Sequence, residues 1–437
     1  ITSHFSVGFE LCIKWIHKIY QRLQKTAFFT ILSLNMEKLL TWLKNHHIIY
    51  VNRSFERASG MDMSISDFSI ISNVTEFAKS YAQERSHIVL IDTTTLLDSW
   101  QLLEHPKSLA YIAKKTKECG ENAFGGIMVY KPTKKIERIC KTHNIPLLNP
   151  LTNLASNIEE KISQVAWLGT MTTHLPPHHI DVCKNIAWNY EPFVLQFNQG
   201  HTGSGTVLID SEIQLQELQK TFPERPVKVS AYINGPTFTC NGVVSKDAIH
   251  TGSLSYQITG LSPFTDQPFA TIGNDWGLPK DILSYDQQAK CKEIAHAVGK
   301  KMQHDGWRGA FGIDIIVEEE TGNVYLLEIN ARQPASVIFE SHLQQQSIAK
   351  QVKNLMTTFE AHVAALANLE TKDHKLVPVT RGAQLVLRLT KDAQDIDVTQ
   401  TKKALEQAGL SVIPYTTTTL GSDLLRIQSK ESIMTKH

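Results

Sequence analysis

The stretch Arg308–Gln333, RGAFGIDIIVEEETGNVYLLEINARQ, limits what this chain can fold into more than any other. Two apolar, β-rich runs, Phe311–Val317 and Val324–Ile329, flank the polar segment Glu319–Asn323, which predicts an antiparallel hairpin. Asp314 interrupts the first run and Glu328 the second. Ionised carboxylates are costly in an apolar sheet unless a cation or a basic partner compensates them, and strand patterning alone would ask for Ile or Val at both positions. Strand periodicity puts Asn330 on the face of Glu328, with Arg332 next along it. Asp314, Glu328 and Asn330 together make an all-oxygen set suited to Mg²⁺, a hard ion that keeps waters and usually bridges to nucleotide phosphates.

A second informative stretch is Pro192–Asp210, PFVLQFNQGHTGSGTVLID. An apolar strand runs into a turn holding Gly200, Gly203 and Gly205 and leaves through Thr206–Ile209. Glycines let backbone N–H groups approach phosphate oxygens without a Cβ in the way. His201, Thr202, Ser204 and Thr206 add more polar groups than a hairpin turn requires. The segment is not a Walker loop, because GK[ST] is absent and a strand rather than a helix follows.

The D…E-x-N-x-R arrangement of the hairpin and the glycine-rich turn resemble the ATP-grasp superfamily, which includes carboxylate–amine ligases and biotin carboxylase. The resemblance implies two α+β lobes that clamp ATP, with Mg²⁺, or Mn²⁺ in its place, on Asp314, Glu328 and Asn330. It implies that the loop Gly200, His201, Thr202, Gly203, Ser204, Gly205, Thr206 covers the phosphates and that Lys161, paired in sequence with Glu160, reaches them. The strand VKVSAYI resembles the hinge whose backbone contacts adenine, which points to Tyr232 and Ile233. Arg332, and Arg388 six residues after Gly382, match the arginines at the reacting phosphoryl group. One departure stands out: family members usually carry a lysine four residues after the proline, and here Gln196 takes that place. Glutamine can donate a hydrogen bond to phosphate but brings no charge, so phosphate stabilisation must come from elsewhere or be missing. The family's ribose-binding acid is also absent, since Ser230 and Ala231 stand where it is expected.

The activity so implied is ATP- and Mg-dependent ligation, in which a carboxylate becomes an acylphosphate and an amine attacks it. Two alternatives remain at this level: a weakened or regulatory nucleotide binder, suggested by Gln196, and a carboxylase or phosphotransferase of the same fold. No Ser/His/Asp or Cys/His nucleophile motif is recognisable, and none is required.

The expected fold class is α/β followed by α+β. Residues 1–35 form an extension of unknown role; 36–150 alternate strands and helices as in a parallel sheet covered on both faces. Residues 151–235 would be the small ATP-grasp lobe with the glycine-rich loop, 236–375 the metal-binding lobe and 376–437 a terminal α+β subdomain. A single helix is expected over Asn153–Trp167, with Lys161 inside it, and a loop at HLPPHH. A long loop is expected over Thr259–Pro279, an amphipathic helix over Tyr285–Asp305 and a long helical stretch to about Glu370. The 437 residues carry a net charge of +1, which gives no global field for nucleic acid or an anionic membrane. The six cysteines are dispersed without CxxC spacing, as expected of free thiols in a reducing cytosol, and no apolar run approaches the ~20 residues of a membrane span. Small carboxylate and amine substrates are the expected partners, with no nucleic acid and no membrane; a homodimer is left open.

Overall fold

The computed structural model describes residues 37–83, 85–120, 123–198, 205–347, 354–391, 396–415 and 419–436. They fall into two compact units, residues 37–254 with 284–378, and residues 255–283 with 379–436.

The larger unit begins with a parallel sheet of β1 (His47–Val51), β2 (Phe68–Asn73), β3 (Ile88–Ile91) and β4 (Phe124–Met128) in the order β3-β2-β1-β4. Every residue of β1 is buried, as expected of a strand covered on both faces. On one face Ile49, Val51 and Ile127 pack with Leu102, Ile112 and Ile136. On the other, Ile48, Tyr50 and Phe68 pack with Phe359 and Val363. Strand β2 has no counterpart in the sequence reading. FSIISN alternates no apolar face, because both faces are buried and its serines find partners, Ser69 with His47 and Tyr111.

A small antiparallel sheet follows, β5 (His178–Val182), β6 (Phe193–Phe197), β7 (Thr206–Ile209) and β8 (Pro226–Ala231), ordered β5-β8-β6-β7. Phe193, Leu195, Phe197, Val227 and Val229 face Leu215 of the helix Glu212–Thr221 and form its core. The HLPPHH segment is therefore only partly a loop: its last histidines start β5, an edge strand paired with β8, where prolines can precede but not interrupt the ladder.

The remaining strands of this unit, β9 (Thr237–Val244), the first part of β10 (Ile249–Thr259), β12 (Gly309–Val317) and β13 (Val324–Asn330), run in the order β13-β12-β9-β10. The boundary between the units falls inside β10, after Leu254. The helix Tyr285–His304 matches expectation and opens on a capping box formed by Ser284 and Gln287. The long helical stretch after the hairpin is instead two helices, Ser336–Ser347 and Thr358–Leu366, and a second capping box, Thr357 with Glu360, restarts the chain. Two short strands, β14 (Leu355–Met356) and β15 (Lys375–Leu376), pair in parallel.

In the smaller unit β11 (Thr271–Asp275), β16 (Ala383–Arg388), β17 (Ser411–Pro414) and β18 (Asp423–Ser429) extend from the second part of β10 in the order β10-β11-β16-β18-β17. Strand β11 lies within Thr259–Pro279, so that segment is not one long loop. Ile258, Ile272, Leu385, Leu387 and Leu425 form the core. Among the described residues no helix is long and apolar enough to cross a membrane.

Glu340, on the helix Ser336–Ser347, has no solvent exposure. Its carboxyl group accepts from Asn241 Nδ2 at 2.7 Å and from Ser253 N at 3.3 Å, with no basic partner among the described residues, and burial pushes its pKa up to about 7. The folded state thus keeps this proton to higher pH than the unfolded chain does. Stability from this group is complete below the ordinary value of 4.5 and declines as pH rises towards 7. Glu340→Gln should lessen the loss of stability between pH 5 and pH 8 by on the order of 3 kcal/mol. Denaturant titrations of both proteins at the two pH values check this; equal losses would refute it.

Candidate active site

The hairpin forms as its sequence pattern requires, and the register places Asp314 directly opposite Glu328 and Gly312 opposite Asn330. The ladder shifts between Asp314 and Ile315, so Leu327 is an extra residue on β13 and Leu326 pairs with Ile315. Asp314 accepts from Thr239 Oγ1 at 2.9 Å on β9 and from Asn330 Nδ2 at 3.2 Å. Burial, and then the neighbouring Glu328 charge, raise the Asp314 pKa. Burial would raise Glu328 too, but the Lys161 ammonium at 2.9 Å, with help from Arg332 and Lys131, holds it below the usual value.

Lys161 does not lie in a helix. The predicted single helix is two, Thr152–Glu159 and Ser163–Leu168, and Glu160 leaves helical geometry at φ −70°, ψ 135°. Asn198, at the end of β6, explains the break. Its carbonyl accepts from Lys161 N at 3.3 Å, its Oδ1 from Ile162 N at 2.9 Å, and its amide donates to Glu160 Oε2 at 2.7 Å. Side-chain bonding of this kind competes with the helix ladder, and here it fixes the lysine beside the start of the glycine-rich turn.

Gln196 and Thr206 are partners across β6 and β7, and Gln196 Nε2 donates to Thr206 Oγ1 at 3.2 Å. Gly205 carries the backbone bond that closes this hairpin, to Phe197 N at 2.9 Å. Gly200, His201, Thr202, Gly203 and Ser204 lie outside the described residues. Tyr232 and Ile233 follow the end of β8, and Tyr232 is exposed. The connection then passes the end of β12 so closely that a Cβ on Gly235 would lie 2.0 Å from the Val317 carbonyl oxygen, which only glycine permits.

Arg332 pairs with Glu159, which also takes Lys131 Nζ at 2.5 Å. One largely covered carboxylate thus holds two cations, and Glu159 and Lys131 join the site without having been singled out in the sequence. Arg388 belongs to the smaller unit, where it donates to the Thr271 carbonyl at 3.1 Å and lies 3.9 Å from Asp423.

Among the described residues no group of three His, Cys, Asp or Glu side chains is arranged to hold a metal ion. The hairpin offers two carboxylates and one amide, whose Nδ2 is spent on Asp314 and whose oxygen remains for another partner. That donor set fits Mg²⁺, which takes few protein oxygens and completes its shell with water and phosphate. An acidic pair set opposite each other in the ladder, with a raised and a lowered member, is also what a divalent cation would relieve.

Residues 158–336 match the sequence profile of the ATP-grasp domain, and this segment, which contains Glu159, Lys161, Gln196, Asp314, Glu328, Asn330 and Arg332, is an ATP-grasp domain. Among solved structures, carboxyaminoimidazole ribonucleotide synthase from Aspergillus clavatus complexed with ATP is 15% identical, with a TM-score of 0.59 over 89% of this chain and 94% of that one. N5-carboxyaminoimidazole synthetase from Staphylococcus aureus complexed with ADP is 14% identical, with a TM-score of 0.57 over 92% and 94%. L-amino acid ligase from Bacillus licheniformis is 14% identical, with a TM-score of 0.57 over 88% and 93%. These likenesses show a shared fold. No curated protein sequence matches the chain.

Proposed function

We propose that this protein is an ATP-dependent ligase that activates a carboxylate as an acylphosphate for attack by an amine. The observation that carries the reading is the convergence of Asp314, Glu328 and Asn330 on two adjacent strands, with Lys161 at 2.9 Å from Glu328. Asp314, Glu328 and Asn330 would hold Mg²⁺, which draws charge from the phosphates when bound. Lys161 would bind the polyphosphate, and exchanging Glu328 for phosphate would keep its ammonium paired throughout. Gln196 and Thr206 offer neutral hydrogen bonds at the base of the glycine-rich turn, whose backbone would cover the phosphates. Arg332, oriented by Glu159, would stabilise the transferring phosphoryl group and the tetrahedral intermediate that follows. Arg388 enters this proposal through the family resemblance alone, as do Tyr232 and Ile233 at the adenine.

The neighbours' names include both an amino acid ligase and carboxyaminoimidazole synthetases. The test is therefore a screen of amino acids, small carboxylic acids and bicarbonate, each with and without amines, for stimulated release of ADP and phosphate. Stimulation by an acid and amine together supports ligation. Release that depends on bicarbonate moves the reading to a carboxylase, and nucleotide binding without any stimulated release moves it to a regulatory binder, the role Gln196 would suit.

A further inference from the structure

We propose that Lys228 contacts the ATP phosphates and supplies the positive charge that Gln196 lacks. The proposal rests on the nucleotide-binding reading above and deepens it. Lys228 on β8 is the direct partner of Gln196 on β6, so the two side chains leave the same face of the small sheet. That face is the one opposite the hydrophobic core of Phe193, Leu195, Phe197, Val227 and Val229.

Lys228 is only 1% exposed, and among the described residues no hydrogen bond and no carboxylate other than that of Glu328 acts on its ammonium. The charged groups that act on it are Lys161, which repels it, and Glu328, whose carboxylate already pairs with Lys161. Ser230, two residues along on the same face, has a buried hydroxyl with no partner among the described residues. Buried cations are normally paired, because leaving one uncompensated costs several kcal/mol. Two lysines sharing one carboxylate, beside an unsatisfied hydroxyl, form a site that an anion of more than one charge would complete. A polyphosphate has that charge and the acceptor oxygens for all three groups. The family's usual lysine would then be moved one strand sideways, with its chemistry kept.

The test is calorimetric binding of a non-hydrolysable ATP analogue, ADP and adenosine to the full chain in magnesium buffer. It compares the natural protein with Lys228→Gln and with the double variant Gln196→Lys/Lys228→Gln. Lys228→Gln should weaken the triphosphate by about 10-fold to 100-fold, as loss of a charge-assisted bond does, and leave adenosine unchanged. The double variant should recover most of the lost affinity. Equal triphosphate affinity in the natural protein and Lys228→Gln overturns the proposal and leaves the nucleotide reading standing. A natural protein that binds none of the three ligands overturns both. If Lys228→Gln loses its cooperative unfolding transition, the double variant decides: tight triphosphate binding supports the role, and weak binding by a folded double variant refutes it.

Discussion

Glu328→Gln should lower substrate-stimulated ADP formation by about 10²-fold to 10³-fold, and Asp314→Asn should do the same. Glu328 is the carboxylate shared by Lys161 and the hairpin site, and that lysine holds its pKa below the usual value. The amide variant keeps the shape but removes the carboxylate charge that the proposed Mg²⁺ would use and leaves Lys161 facing a neutral group. Among the described residues Asp314 forms no ion pair; it is held by Thr239 and Asn330. Its loss should therefore act on catalysis with little effect on folding. Steady-state ADP release at saturating ATP and magnesium, with a thermal melt on each variant, checks both statements. Folded variants with the natural rate would remove this hairpin from the chemistry.

Phe359→Ala should destabilise the larger unit by about 3–5 kcal/mol, the usual cost of emptying a buried aromatic site. The ring has no solvent exposure and packs against Tyr50 and Phe68 of the parallel sheet, each with centroids 6.2 Å away. Gly60 presses on the same ring, since a Cβ there would fall 2.6 Å from Phe359 Cγ. The truncated side chain would leave a space between its own helix, Thr358–Leu366, and the parallel sheet, whose strand ladder limits how far the sheet can close over it. Guanidinium titration of the variant measures the loss. A value near 1 kcal/mol would mean that the surroundings collapse to fill the space.

The hairpin was legible because two carboxylates stood where an apolar pattern demanded Ile or Val, and no cheap structure tolerates that. The parallel sheet was legible in part: HIIYV and HIVLI announce buried strands, whereas FSIISN hides one behind serines that are paired only in three dimensions. The helix break at Glu160 depends on Asn198, 38 residues away, so no local pattern could reveal it. Lys228 is a different case. It interrupts VKVSAYI as plainly as Asp314 interrupts its own run, but only the pairing with Gln196 gives the interruption a meaning. Glu159 and Lys131 carried no such mark, because an acid at a helix end and a lysine in a turn are ordinary surface residues until Arg332 is brought to them.

The extra residue at Leu327 sets where this hairpin can change in length. A chain lacking Leu327 would thread an unbroken ladder, Leu326 still inward and Glu328 still towards Asp314, because the bulge is one residue more than the pairing needs. An insertion between Glu328 and Asn330 has no such slack and would turn the asparagine to the opposite side. Related sequences of this hairpin should therefore accept the loss of a residue just before the glutamate and refuse a gain or loss after it.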